Sequence, residues 1–200
     1  MMTKVHWDER FNQEEYVYGK EPNVFIQKVG AILARGDVLA IAEGEGRNAV
    51  YLATLGHNVT TWDYSQEGLK KTKQLAAEQN VDIQTVCVDL NEAPWKEDKW
   101  DHIICVFGHF DKSLRHQTLK QIEKAVKKGG TFICEVYSTE QLNYQTGGPR
   151  DIRMLYEPEE FLTVFKDWNI KHFFLGEVVR KEGILHEGTS HVIQFYGVKK

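Results

Sequence analysis

From residue 38 onward, short apolar runs alternate with segments of helical period. Val38-Leu39-Ala40-Ile41-Ala42 has the length and continuity of a strand buried on both faces. Ala49, Val50, Leu52 and Ala53 then share one face of a helix from Arg47 to Leu55, which Gly56 closes. Asn58 to Trp62 predicts a second strand. Ser65 is placed to cap the next helix, with Glu67 in its first turn and its end at Asn80. Ile83–Val88, Trp100–Phe107 and Thr131–Tyr137 predict three more strands, and Ser113 to Lys128 a helix ended by Gly129-Gly130. Strand and helix in repetition predict a parallel sheet with right-handed crossovers.

The two ends complete the picture. Pro22 to Leu33 reads as a helix that Pro22 starts, after a polar arm carrying Tyr16, Tyr18 and Gly19, a candidate lid. Asn143 to Asp151 is a turn-rich loop around Gly147-Gly148-Pro149, and Pro158 opens an amphipathic helix through Phe165. Trp168 to Val179 and Ser190 to Val198 are both strand-like, with only residues 180–189 between them. A parallel crossover needs about a dozen residues or more, so these two pair as an antiparallel hairpin. The expectation is a single α/β domain, a Rossmann-like doubly wound sheet of seven strands, mostly parallel. Residues 1–35 form its lid and first helix, 36–137 its core, and 138–200 a substrate loop, helix and hairpin.

Charge and composition narrow the function. A formal net charge of −4 leaves no basic excess for a phosphate backbone or an anionic bilayer, so neither nucleic acid nor membrane is an expected partner. The start has no apolar signal core, and no run of about 18 apolar residues occurs anywhere, which predicts a cytoplasmic protein. Cys87, Cys105 and Cys134 each sit in an apolar run without Cys-x-x-Cys spacing and read as buried, reduced thiols.

Candidate chemistry gathers at the carboxyl ends of the strands. Gly44-x-Gly46-x-x-Ala49, between a strand and a helix, lets a ligand approach the backbone and the free N–H groups of the helix. The pattern serves a dinucleotide as readily as a methyltransferase cofactor, and it also occurs in purely structural turns. Asp63, ending the second strand, is placed to accept from both ribose hydroxyls, or to cap the following helix. Asp89 with Leu90 after the third strand suits an adenine amino group and ring, or simply closes the strand. Together with Glu43 and Phe107-Gly108, these residues outline one crevice.

On these segments the chain resembles the class I S-adenosylmethionine-dependent methyltransferases, in particular the tellurite-resistance and thiopurine-type small-molecule branch. The resemblance rests on Tyr18-Gly19, Pro22-Asn23, Gly44-Glu45-Gly46-Arg47-Asn48-Ala49, Thr61-Trp62-Asp63-Tyr64-Ser65, Asp89-Leu90, Trp100-Asp101, Lys128-Gly129-Gly130, Thr146-Gly147-Gly148-Pro149 and the closing hairpin. It implies S-adenosylmethionine as cofactor, held by Tyr18, Glu43, Gly44, Gly46, Asn48, Asp63, Tyr64, Ser65, Asp89, Leu90 and Phe107. It also implies a small-molecule acceptor, a thiol, heteroaromatic thiol or chalcogen oxyanion, in a monomer or homodimer that needs no metal.

Where similar enzymes carry an acid near Ala40 and a glycine at Ala42, this chain has neither, and Glu43 is read as the substitute acid. His109, on the rim after the fourth strand, and His186, in the hairpin loop, are the acid/base candidates. Tellurite methyltransferases present a histidine followed by arginine in that loop, whereas Glu187 follows here. Arg150 and Arg153 are candidates for an anionic acceptor, or else solvated. Two other readings stay open: an NAD-dependent oxidoreductase, and a cofactor-binding protein without chemistry.

Overall fold

A computed structural model of the chain describes residues 4–183 and 187–200. Its strands are β1 Asp37–Ile41, β2 Asn58–Asp63, β3 Gln84–Cys87, β4 Trp100–Val106, β5 Val126–Tyr137, β6 Asn169–Lys181 and β7 Glu187–Val198. They form one sheet in the order β3-β2-β1-β4-β5-β7-β6. β3 to β5 run parallel, while β7 is antiparallel to both β5 and β6. The helices are α1 Lys4–Phe11, α2 Val24–Gly30, α3 Arg47–Thr54, α4 Gln66–Glu78, α5 Lys112–Ala125 and α6 Pro158–Val164. None is long and apolar enough to cross a membrane.

β1 shows why its run has no polar alternation. Leu39 and Ile41 join a core with Leu119 and Ile122 of α5 and Phe161 of α6, while Val38 and Ala40 face Phe25 and Ile26 of α2 and Leu52 of α3. Successive side chains point to opposite faces, and helices cover both. Because β1 lies between β2 and β4, the crossovers diverge at its carboxyl end, which opens a crevice there.

Several boundaries differ from the sequence expectation for identifiable reasons. α2 begins at Val24 rather than Pro22, because the Asn23 side chain accepts from Phe25 N and Ile26 N and so caps it. α5 stops at Ala125, and Val126 already pairs with Trp100. Lys199 and the Gly129-Gly130 backbone exchange hydrogen bonds of 2.8 and 2.9 Å, drawing that segment into the sheet. The polar start contains α1, which the pattern did not reveal. Cys105 and Cys134 are buried, but Cys87 is exposed, because β3 is an edge strand.

Ala42 follows β1 with φ of 50°, the left-handed region that costs an L side chain about 1 kcal/mol or more. This is the position where the resemblance leads one to expect glycine. Ala42→Gly is therefore expected to raise the melting temperature by about 2 °C, measured by thermal unfolding. A lower melting temperature would show that packing of the methyl group outweighs the strain.

Candidate cofactor and acceptor site

Each acid of the β1–α3 turn has a distinct structural task. Glu43 is buried, and its Oε1 accepts from Asn48 N and Ala49 N at 2.8 and 2.9 Å, so it caps α3 from outside the usual cap position. Asp63 holds the turn from the neighbouring strand: Oδ2 accepts from Gly44 N at 2.8 Å and Oδ1 from Ser65 N at 2.7 Å. Glu45 faces the N-terminal arm, accepting from Val17 N and Tyr18 N, and pairs with Lys71 at 2.8 Å. Gly46 has φ of 90°, and a Cβ there would stand 2.6 Å from Thr72 Oγ1, so α4 packs against the turn only because this residue is glycine.

Beside this turn lies one cavity. Tyr18, Glu43, Gly44, Asn48, Asp63, Tyr64, Asp89, Leu90, Phe107 and His109 all line it. Gly46 and Ser65 support it from behind: Ser65 caps α4 through Gly68 N and donates to Asp8 of α1 at 2.6 Å. Asp89, exposed at the rim, accepts from Asn91 N and Nδ2. Sequence reasoning missed Trp7 and Phe11 of α1, together with Trp62, Asn91, Phe110, Leu114 and Met154, all of which reach the cavity.

Two walls with different chemistry result. One holds the carboxyls of Glu43, Asp63 and Asp89; burial pushes Glu43 up to about 7 and Asp63 to about 6. Arg47 is the lining cation among the described residues, and Glu182 holds it at 2.7 Å. The other wall is Trp7, Phe11, His109, Phe110 and Met154. His109 stacks between Trp7 and Tyr137, with centroids 6.0 Å from each, and burial followed by the nearby Arg10 lowers its pKa to about 4. It is a neutral imidazole at neutral pH.

Arg115 fixes the spacing of this second wall. Its Nη1 donates to Phe110 O and Arg153 O, while Nε and Nη2 fork onto Glu160 at 2.7 and 2.8 Å. Phe110 and the segment carrying Met154 are thus held to one buried guanidinium. Arg150 lies outside the cavity and donates to Leu142 O and Tyr144 O. Arg153, also outside, is exposed and forked by Asp151. His186 lies outside the described residues.

A family model described as a methyltransferase domain matches residues 38–130, which span the turn, Asp63, Asp89 and Phe107. The chain is 25% identical over 171 residues to the probable S-adenosyl-L-methionine-dependent methyltransferase TehB of Haemophilus influenzae, covering 78% of this chain. It superposes on the crystal structure of that species' TehB with a TM-score of 0.73 at 20% identity, covering 98% of this chain and 67% of the other. Over residues 38–130 the chain resembles S-adenosylmethionine-dependent methyltransferases. It spans 58% of the length of the curated TehB relatives. Over 85 residues, 42% of this chain, it is 32% identical to the human mitochondrial 2-methoxy-6-polyprenyl-1,4-benzoquinol methylase, covering 26% of that protein. A protein of echinomycin biosynthesis, described as converting a disulfide bond into a thioacetal group, shares the fold with a TM-score of 0.77 at 16% identity, over 100% of this chain and 92% of the other. The segment matched by the family model carries the carboxyls of Glu43, Asp63 and Asp89.

Proposed function

We propose that the protein transfers the methyl group of S-adenosylmethionine to a small-molecule acceptor whose nucleophile is a thiol or heteroaromatic thiol. The observation that carries this reading is one cavity lined by the carboxyls of Glu43, Asp63 and Asp89 on one part and by aromatic side chains on another, where Asp111 caps α5 and, among the described residues, no lysine or arginine contributes. Two buried carboxyls with raised pKa values, beside an arginine committed to Glu182, suit a ligand that brings positive charge and hydroxyl groups. S-adenosylmethionine is such a ligand. Glu43 would hold its amino group, Asp63 and Asp89 its ribose and adenine polar groups, and Leu90 and Tyr64 the faces of its ring.

The cofactor supplies a methyl carbon on a positively charged sulfur, open to displacement by an aligned nucleophile. The chain's own part is positioning and exclusion of water, which together supply several kcal/mol of acceleration, up to about 11. Trp7 and Phe11 of α1 cover the cavity, and Phe110 and Met154 bound the acceptor side. Neutral His109 can accept a hydrogen bond but is a weak base, so an acceptor that ionises by itself suits this wall. A chalcogen oxyanion would want cations there, whereas Arg150 and Arg153 bond their own loop. The sulfur chemistry of the echinomycin enzyme supports a sulfur acceptor.

Calorimetry with S-adenosylmethionine, S-adenosylhomocysteine and NAD tests the reading. Both sulfur ligands are expected to bind and NAD not. Tight NAD binding with neither sulfur ligand bound would overturn it in favour of an oxidoreductase.

The pH dependence of binding has a definite sign. A carboxyl whose folded-state pKa is raised costs nothing below the ordinary carboxylate range; its cost grows as pH rises from that range to the raised value and is constant above it. Glu43, raised from 4.5 to about 7, and Asp63, raised from 3.8 to about 6, therefore burden the empty protein increasingly as pH rises from about 4 to about 7. A bound cation relieves that cost, so affinity for S-adenosylmethionine should tighten about tenfold between about pH 5.5 and 7.5. Glu43→Gln should flatten the curve. Equal affinity at both ends of the range would mean that these carboxyls do not face the ligand's charge.

A further inference from the structure

Met154 lines two spaces at once, the cavity just described and a broad groove on the surface beside it. The groove runs between His6 of α1 and the loop from Leu142 to Ile152. Met154 is the lining residue the two spaces share, and in the cavity it lines the same space as Phe110 and His109.

The polar groups of this groove are already engaged. Arg150 Nη1 donates to Leu142 O at 3.2 Å and Tyr144 O at 2.8 Å. Asp151 takes the Arg153 fork at 2.6 to 3.1 Å. His6 Nε2 lies 3.0 Å from Arg10 Nη2. What the groove still offers a ligand is apolar: Ile152, 55% exposed, and half-buried Leu142, over buried Pro149 and Met154. An exposed isoleucine on a loop gains only by being covered.

We infer that the acceptor is elongated, with its nucleophile in the aromatic cavity and a hydrocarbon part of several carbons passing Met154 to lie in this groove. The inference rests on the methyltransferase reading and names the kind of molecule that site accepts. The segment is fixed well enough to serve. Arg115 holds Arg153 O, and the Asp151 side chain caps the short 3-10 helix Ile152–Met154.

The test uses alkyl methyl sulfides, the products expected from alkyl thiols, titrated from ethyl to hexyl into the protein saturated with S-adenosylhomocysteine. Affinity is expected to tighten about two- to fourfold per added methylene. Ile152→Asp is expected to flatten the series, with S-adenosylhomocysteine affinity as the control for folding. Equal affinity for ethyl and hexyl, or no binding of any sulfide while S-adenosylhomocysteine binds, overturns the inference and leaves the methyltransferase reading standing. A dimer that Ile152→Asp dissociates, seen by sedimentation, also overturns it and gives the groove to a second copy of the chain. Failure of S-adenosylhomocysteine itself to bind removes the underlying reading, and the inference with it.

Discussion

Glu43→Ala is expected to weaken S-adenosylmethionine binding about a hundredfold and to lower stability by about 1 kcal/mol. The first figure follows from removing a buried ionised partner of the ligand's charge, typically about 1.5–3 kcal/mol. The second follows from Glu43's role as a cap, since Asn48 N and Ala49 N lose their acceptor. Glu43→Gln separates the two roles. Its amide oxygen can still accept from both N–H groups, so stability should be kept while affinity falls about tenfold. Calorimetry and thermal unfolding on the three proteins read the two effects independently. If affinity survives in both variants while Glu43→Ala melts lower, Glu43 is a structural cap and another group must face the ligand's amino end.

Arg180→Met is expected to lower stability by about 3–5 kcal/mol, a fall in melting temperature on the order of 10 °C. Arg180 and Glu135 pair at 2.8 Å, each with about 1% of its side chain exposed. Glu135 also accepts from Asn23 Nδ2 and Gln194 Nε2, while the Arg180 guanidinium lies 4.7 Å from the Phe107 ring centre. Removing the cation strands a carboxylate in the core. Arg180 Nε and Nη2 have no hydrogen-bond partner among the described residues, so the pair is incompletely satisfied even when intact. The double variant Glu135→Leu with Arg180→Met should therefore recover much of the loss. Thermal unfolding of the set checks this; a single variant within about 1 kcal/mol of the parent would sink it.

Much of the fold was legible because its period and length signals are local. The Val38–Ala42 run, the helix face of Ala49 to Ala53 and the short span between the last two strands require the sheet that is observed. The crevice was legible for the same reason, since strand ends can be read from the runs that precede them. What stayed hidden depends on contacts between distant segments. α1 has eight residues and one buried side chain, Phe11, so its apolar face is too slight to stand out, yet Trp7 and Phe11 cover the site. Asp63 was read as a ligand group or a helix cap and Glu43 as the substitute acid; their hydrogen bonds to Gly44 N, Ser65 N, Asn48 N and Ala49 N exist only once the turn is folded. Cys87 carries the apolar neighbours of a core thiol, and only the position of β3 at the sheet edge exposes it. The pairing of Arg115 with Glu160 spans two elements with no sequence pattern in common.

The fastenings of the N-terminal arm also imply an order of events during synthesis. Val17 and Tyr18 reach Glu45 across fewer than 30 positions, so that bond can form as soon as α3 has emerged. Asn23 must wait for Glu135, 112 positions later, and Arg47 for Glu182. A nascent chain therefore completes the β1–α3 turn long before the far end of the arm can be fastened. A chain that ends before Glu182 has the residues of the Glu45 fastening but lacks the carboxylate that pairs with Arg47. Glu182, just after β6, is thus the last fastening to be made, joining Val24 and Arg47 to the final hairpin.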